Sequence, residues 1–171
     1  CPIRKPVSPA SSKVGASNTA IPERLETSRL LLTRPRAEDW RALHEYYSDA
    51  ECARFTFQNP LPETETQRVL GSLVRHWERK GFGPYVLKEK LSGMSAGLVG
   101  LWFPSEWPET EIKWAIIRSH WGKGYASEAA RAVLAILRLH LPQMQPISLI
   151  DAENSRSIAL AKALGARLEQ E

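Results

Sequence analysis

The alternation of apolar and polar positions becomes regular near residue 28. "SRLLLTRP" (28–35) is an apolar run stopped by Pro35 and predicts a strand. "AEDWRALHEYYSD" (37–49) then places Trp40, Leu43, Tyr46 and Tyr47 at helical spacing. A second helix is predicted from about Pro62 to Lys80, opened by "PETE" and closed by Gly81. Its acids come first and "RK" last, as the helix dipole favours. "PYVLKEK" (84–90) and "AGLVGLWF" (96–103), joined through "LSGM", predict an antiparallel hairpin.

From residue 110 strands and helices alternate. "TEIKWAIIR" (110–118) predicts a strand, followed by a helix to about Leu139 that buries Ala126, Ala130, Val133, Leu134 and Leu137. "PISLI" (146–150) predicts a short buried strand, and "ENSRSIALAKALG" (153–165) a closing helix with Gly165 just past its end. A strand–helix–strand unit of this kind pairs its two strands in parallel through a right-handed crossover. Ligands of open α/β sheets collect beyond the carboxyl ends of such strands, which is where "WGKGYA" (121–126) falls.

At 171 residues the chain reads as one domain over 23–171 behind a Ser-, Ala- and Pro-rich leader over 1–22. A chain beginning with Cys is expected to be an excerpt or a processed product. Most of the formal charge of +4 sits in that leader: setting aside Arg4, Lys5 and Lys13 leaves 20 basic groups against 19 acidic ones. No direct nucleic-acid binding is therefore expected of the folded part. Without an apolar run of about 20 residues or a signal peptide, no membrane partner is expected, and the default location is cytoplasmic. Cys1, Cys52 and the four histidines lack ligand spacing, so no metal site is expected.

Gly122 and Gly124 flank Lys123 just where a helix begins. The first turn of that helix carries unpaired N–H groups and the positive end of its dipole. Glycines let successive N–H groups converge on an anion, and Lys123 adds a cation at the mouth. The guest this suits is a phosphate or pyrophosphate. The plainer alternative is a tight strand-to-helix turn. A P-loop would need Gly-Lys-Ser/Thr, and a dinucleotide fingerprint a third glycine where Ser127 stands.

The ordered set "EIKWAIIRSHWGKGYASEAA", then "AENSRSIALAKALGA", resembles the acyl-CoA-dependent N-acetyltransferases of the GNAT superfamily. It is most similar to the branch containing ribosomal-protein N-terminal acetyltransferases. The matching positions are Trp121 to Ala126, Glu128 with Ala129, Asn154 with Ser157, and Leu164 with Gly165, while "LETSRLLLTRPRAEDW" (25–40) resembles the branch's opening strand and helix. The resemblance implies an α/β (α+β) fold with a central mixed, mostly antiparallel sheet, a splayed parallel pair and flanking helices. It also implies further C-terminal strands, of which "ARLEQE" (166–171) resembles the first beginning.

The same resemblance implies acetyl-CoA as cosubstrate and a primary amine as acceptor, either a protein N-terminus or a small molecule, in a monomer or homodimer. Main-chain N–H groups of Gly122, Lys123, Gly124, Tyr125 and Ala126 then hold the pyrophosphate, with Trp121 in the same segment and the Ser127 hydroxyl nearby. Ile116, Ile117 and Arg118 offer main-chain contacts to the pantetheine arm, Ile116 also serving as donor to the thioester oxygen. Asn154 is a CoA contact or a helix cap. Ser157 resembles the family position near the thiol, where a hydroxyl is a candidate acid for the leaving thiolate; the tyrosine that many relatives use a few residues further on is absent from 158–171. Glu111 is a candidate general base or an exposed strand-end charge. Trp102, Phe103 and Trp107 either line an acceptor groove or cap the core. Two rivals stand beside the enzyme: a non-catalytic acyl-CoA-binding module, and an α/β interaction domain whose glycines only make a turn.

Overall fold

Five strands form one antiparallel sheet in sequence order: β1 (Arg24–Glu26), β2 (Leu30–Thr33), β3 (Pro84–Glu89), β4 (Ser95–Trp102) and β5 (Glu111–Ile116). The computed structural model describes residues 20–167. The anticipated leader up to residue 19 and the strand anticipated past Arg167 lie outside the described residues.

Both faces of the sheet are covered, which is why β3 and β4 are buried almost throughout. On one face α1 (Trp40–Ser48) and α3 (Glu63–Lys80) bring Leu43, Tyr47, Leu70 and Leu73 onto Val86, Leu98, Ala115 and Ile117. The short α2 (Ala50–Ala53) follows α1 and is capped by Asp49, whose carboxylate accepts from the N–H groups of Glu51 and Cys52. On the other face α4 (Tyr125–His140) lays Ala129, Ala130, Val133 and Leu137 against Leu30, Leu32, Leu87 and Val99. α5 (Ser155–Ala163) closes the described chain. Gly81 ends α3 in the left-handed region at φ +72°.

Three sequence expectations are corrected. The opening apolar run is preceded by β1, so the chain starts with a short hairpin. In α4 the buried stripe runs through Tyr125 and Ala129, and Ala126 and Leu134, one step round the helix, are only half-buried. Residues 146–150 are not a buried strand: a single parallel bridge joins Ile147 to Glu111. There the Ile112 N–H donates to the Ile147 carbonyl (2.8 Å) and the Ile147 N–H to the Thr110 carbonyl (2.9 Å). The Ser148 hydroxyl then donates to the Ile112 carbonyl (2.9 Å). With a hydroxyl in place of the next ladder bond, the two chains part, and Leu149 is 55% exposed.

Candidate active site

The parting of β5 from residues 148–151 opens a cleft of about 600 Å³, also walled by the α1–α2 region, the glycine turn and the first turn of α5. Antiparallel pairing turns successive N–H groups to alternate sides. The Ile117 N–H donates to the Ala96 carbonyl at 2.9 Å, toward β4, and the Ile112 N–H goes the opposite way to Ile147. By the same alternation Trp114 and Ile116 direct their N–H groups away from β4, into the cleft. The Ile116 carbonyl already accepts from the Trp121 indole N–H at 2.7 Å. Among the described residues the Trp114 carbonyl and the Trp114 and Ile116 N–H groups have no partner and suit an extended one. Gly97 permits this geometry: at φ +138°, a Cβ there would sit 2.0 Å from the Ala115 carbonyl oxygen.

The glycine turn lies at the carboxyl end of β5. Gly122 and Gly124 both have φ +76°, and Gly124 is the N-cap of α4 with no side chain capping it. Among the described residues nothing accepts from the N–H groups of 122–127. Lys123 also differs from expectation. Its ammonium pairs with Glu89 at 3.2 Å and lies over the Tyr125 ring, so it is not free at the mouth of the turn. Glu89 also accepts from Ser92 and Tyr125, and with Lys123 these bonds hold its carboxyl down at about 2.

Sequence reasoning missed what supports this turn. Glu128 accepts from the Thr27 hydroxyl (2.6 Å), the Arg29 N–H (2.8 Å) and Arg29 Nε (2.7 Å). Arg29 Nη1 reaches on to the Lys123 carbonyl at 2.8 Å. Burial raises the Glu128 carboxyl, but these hydrogen bonds and the Arg29 charge together bring it below its usual value. The signal was an acid in the first turn of α4 and an arginine just before β2, ninety-nine residues apart.

At the other wall the Trp114 indole N–H donates to the Ser157 hydroxyl at 3.0 Å. Asn154 caps α5, its Oδ1 accepting from the Ser157 N–H (3.2 Å), and also lines the cleft. Arg156 stacks on Trp121, 4.0 Å from the ring centroid. Glu111 lines the cleft with its carboxyl raised by burial, the Lys113 charge and the Leu149 N–H opposing. The cleft thus gathers Glu111, Ile116, Trp121, Gly122, Gly124, Tyr125, Ala126, Ser127, Asn154 and Ser157.

Ile117 and Arg118 are absent from the cleft lining, and what turns away at Arg118 is its side chain. Ile117 is 1% exposed inside the core, its N–H spent on Ala96. Arg118 turns its side chain to Asp49 at 3.4 Å. Trp102 stacks on His76 (4.7 Å) and Phe103 packs on the core, so both cap the interior. Among the described residues no three His, Cys, Asp or Glu side chains are grouped to hold a metal, and no helix is long and apolar enough to cross a membrane.

Comparison with known proteins agrees with this geometry. The family model described as the acetyltransferase (GNAT) domain matches residues 29–167. The uncharacterized N-acetyltransferase p20 of Bacillus licheniformis is 27% identical over 151 residues, 86% of this chain and 84% of that one. A crystal structure of an acetyltransferase from Agrobacterium tumefaciens superposes with a TM-score of 0.78 at 25% identity, covering 94% of this chain and 90% of that one. Two more distant structures share the fold. A spermidine N-acetyltransferase from Vibrio cholerae in complex with CoA and spermine has 20% identity and a TM-score of 0.67, covering 84% of each chain. A ribosomal L7/L12 alpha-N-protein acetyltransferase in complex with coenzyme A has 20% identity and a TM-score of 0.65, covering 88% of this chain and 85% of that one. Matched by the family model over most of its length, with an open β5 edge leading to a glycine turn, this protein is a member of the GNAT acetyltransferase family and an acetyl-CoA-dependent acyltransferase.

Proposed function

We propose that the protein transfers the acetyl group of acetyl-CoA directly to a primary α-amine, a polypeptide N-terminus foremost. The observation that carries this reading is the parting of β5 from residue 148 onward, which leaves main-chain donors facing a cleft that ends at the glycine turn. The N–H groups of 122–127, at the positive end of α4, suit a pyrophosphate. The β5 edge suits the amides of a pantetheine arm, as an added strand would. Bound there, acetyl-CoA supplies the activated acyl group.

The chain's own residues then divide the work. The Ile116 N–H donates to the thioester oxygen as negative charge develops on it. Glu111 takes the ammonium proton through water, a modest task for an α-amine of pKa about 8. As the intermediate collapses, the proton shed by the attacking nitrogen is relayed through the Ser157 hydroxyl to the departing thiolate, so the serine ends as it began. Direct attack is favoured over a covalent acyl-enzyme because Cys52, the thiol lining the cleft, is pushed up to about 11 by burial, with Asp49 adding to the effect. Glu51, Glu111, Asp151 and Glu153 in the cleft are nearly balanced by Arg54, Lys113 and Arg156. That balance favours a singly charged amine over a polyamine, which needs an acidic groove.

Thermal unfolding with and without acetyl-CoA, alongside Gly124→Glu, tests the donor side. Ligand at a hundredfold excess over Kd adds about 2.7 kcal/mol, or roughly 5–11 °C here. A shift lost in the variant is expected; no shift in folded wild-type protein would overturn the reading. Turnover of peptides with free N-termini, ahead of spermidine and of N-blocked lysine peptides, tests the acceptor. Preference for spermidine would overturn the α-amine assignment.

A further inference from the structure

The Lys123–Gly124 peptide lies between the glycine turn and a guanidinium that sequence reasoning did not connect with it. Arg29 Nη1 donates to the Lys123 carbonyl at 2.8 Å, and Arg29 Nη2 lies 3.5 Å from where a Gly124 Cβ would stand. A trans peptide holds its C=O and N–H on opposite sides of one plane. Fixing the Lys123 carbonyl on Arg29 therefore aims the Gly124 N–H the other way. With Gly124 on one side at φ +76°, a conformation that glycine adopts freely, the peptide plane has a side chain on one side only, Lys123, which is drawn off to Glu89.

Arg29 is itself held. Glu128 Oε2 accepts from its Nε at 2.7 Å, and Glu128 Oε1 from its main-chain N–H at 2.8 Å and from Thr27 at 2.6 Å. The ring of Tyr125 lies under the guanidinium, 4.7 Å from centroid to Cζ. The bracket ties the β1–β2 hairpin to the glycine turn and the first turn of α4 at the rim, above the core packing of α4 on Leu30 and Leu32. A planar guanidinium is suited to this because it donates along two directions at once, to a carboxylate and to a carbonyl.

We propose that Arg29 is a positioning residue for the acyl donor: through the Lys123 carbonyl it presets the peptide plane whose N–H faces the pyrophosphate, and Glu128 presets Arg29. The proposal rests on the glycine turn being the pyrophosphate site. It predicts a specific asymmetry. Loosening the bracket weakens recognition of the pyrophosphate end of the donor and leaves the β5 edge that serves the pantetheine end in place.

The test compares wild type, Arg29→Gln, Arg29→Lys and Glu128→Gln with two donors, acetyl-CoA and S-acetylpantetheine, which lacks the pyrophosphate. Arg29→Gln is expected to raise the KM for acetyl-CoA roughly ten- to hundredfold, the cost of a misaligned charge-assisted hydrogen bond. The change in kcat is expected to be much smaller. The kcat/KM preference for acetyl-CoA over S-acetylpantetheine should fall by at least tenfold. Arg29→Lys, which keeps the charge without the fork, should restore part of it, and Glu128→Gln should move it in the same direction as Arg29→Gln. Melting curves of the unliganded variants accompany the kinetics. A lowered melting temperature with donor preference equal to wild type would overturn the positioning role and leave the proposed activity standing. Wild-type protein that neither binds CoA nor turns over acetyl-CoA would overturn both.

Discussion

The Trp114 indole and the Ser157 hydroxyl meet across the mouth of the cleft, the indole N–H donating to Oγ at 3.0 Å. A serine hydroxyl has one proton to give and two lone pairs. With Trp114 on one lone pair, the hydroxyl proton is left to point at a leaving thiolate. Ser157→Ala is expected to lower kcat by about tenfold, below the 10²–10⁴ of an indispensable acid, since a thiol near pKa 8.5 leaves readily on its own. Steady-state kinetics at saturating donor checks this; a loss under about twofold would take Ser157 out of the chemistry.

Glu111 gives a second prediction. Burial raises its carboxyl, against the Lys113 charge. A general base works only when ionised, so kcat/KM should rise with pH through this elevated pKa and fall away below it. Glu111→Gln should lose about a hundredfold in kcat and lose that acidic limb. An unchanged profile in the variant would leave Glu111 as a strand-end charge.

His76 governs stability rather than chemistry. Its Nδ1 faces the Phe82 carbonyl at 2.9 Å, and its Nε2 accepts from the Phe103 N–H at 2.9 Å, which fixes one neutral tautomer. Burial lowers its pKa, with the Lys80 and Lys113 charges in the same direction. The unfolded chain therefore takes up the proton first. The contribution is complete above the unfolded value of about 6.5 and is lost as pH falls through the lower folded one. His76→Leu should cost about 1–3 kcal/mol by stranding the Phe103 N–H, and should flatten the acid slope. Denaturant unfolding from neutral to mildly acid pH measures both.

Gly97 is the position where a methyl group should do most harm. A Cβ there meets the Ala115 carbonyl oxygen at 2.0 Å and the Ile116 Cα at 2.9 Å, and backbone cannot swing aside. Gly97→Ala is expected to cost about 3 kcal/mol or more, lowering Tm by roughly 6–12 °C. Calorimetry settles it; a shift under about 2 °C would mean that β4 and β5 slide past one another freely.

The elements with strong local signals were legible in the chain. α3 announced itself by its acidic start, basic end and Gly81, and the β3–β4 hairpin by two apolar runs around a turn. The glycine turn was legible because positive φ at Gly122 and Gly124 has a residue-type signature. What stayed hidden depends on distance along the chain. Nothing in "SRLLL" says that Arg29 will meet Glu128, and nothing in "EIKWA" that the Trp114 side chain will meet Ser157. The run "PISLI" misled for a related reason: an apolar segment lining a cleft has the composition of one buried in a sheet. The Ser148 hydroxyl on the Ile112 carbonyl, invisible to hydrophobicity, is what ends the pairing.

The notch beside β5 has one further consequence. A row of main-chain donors and acceptors without a partner fits any extended chain, including the edge of another copy of this protein. Donor and neighbour compete for the same strip around Trp114 and Ile116. Protein handled without acetyl-CoA therefore carries a self-association hazard that the donor itself covers, and colloidal behaviour on concentration becomes a readout of occupancy.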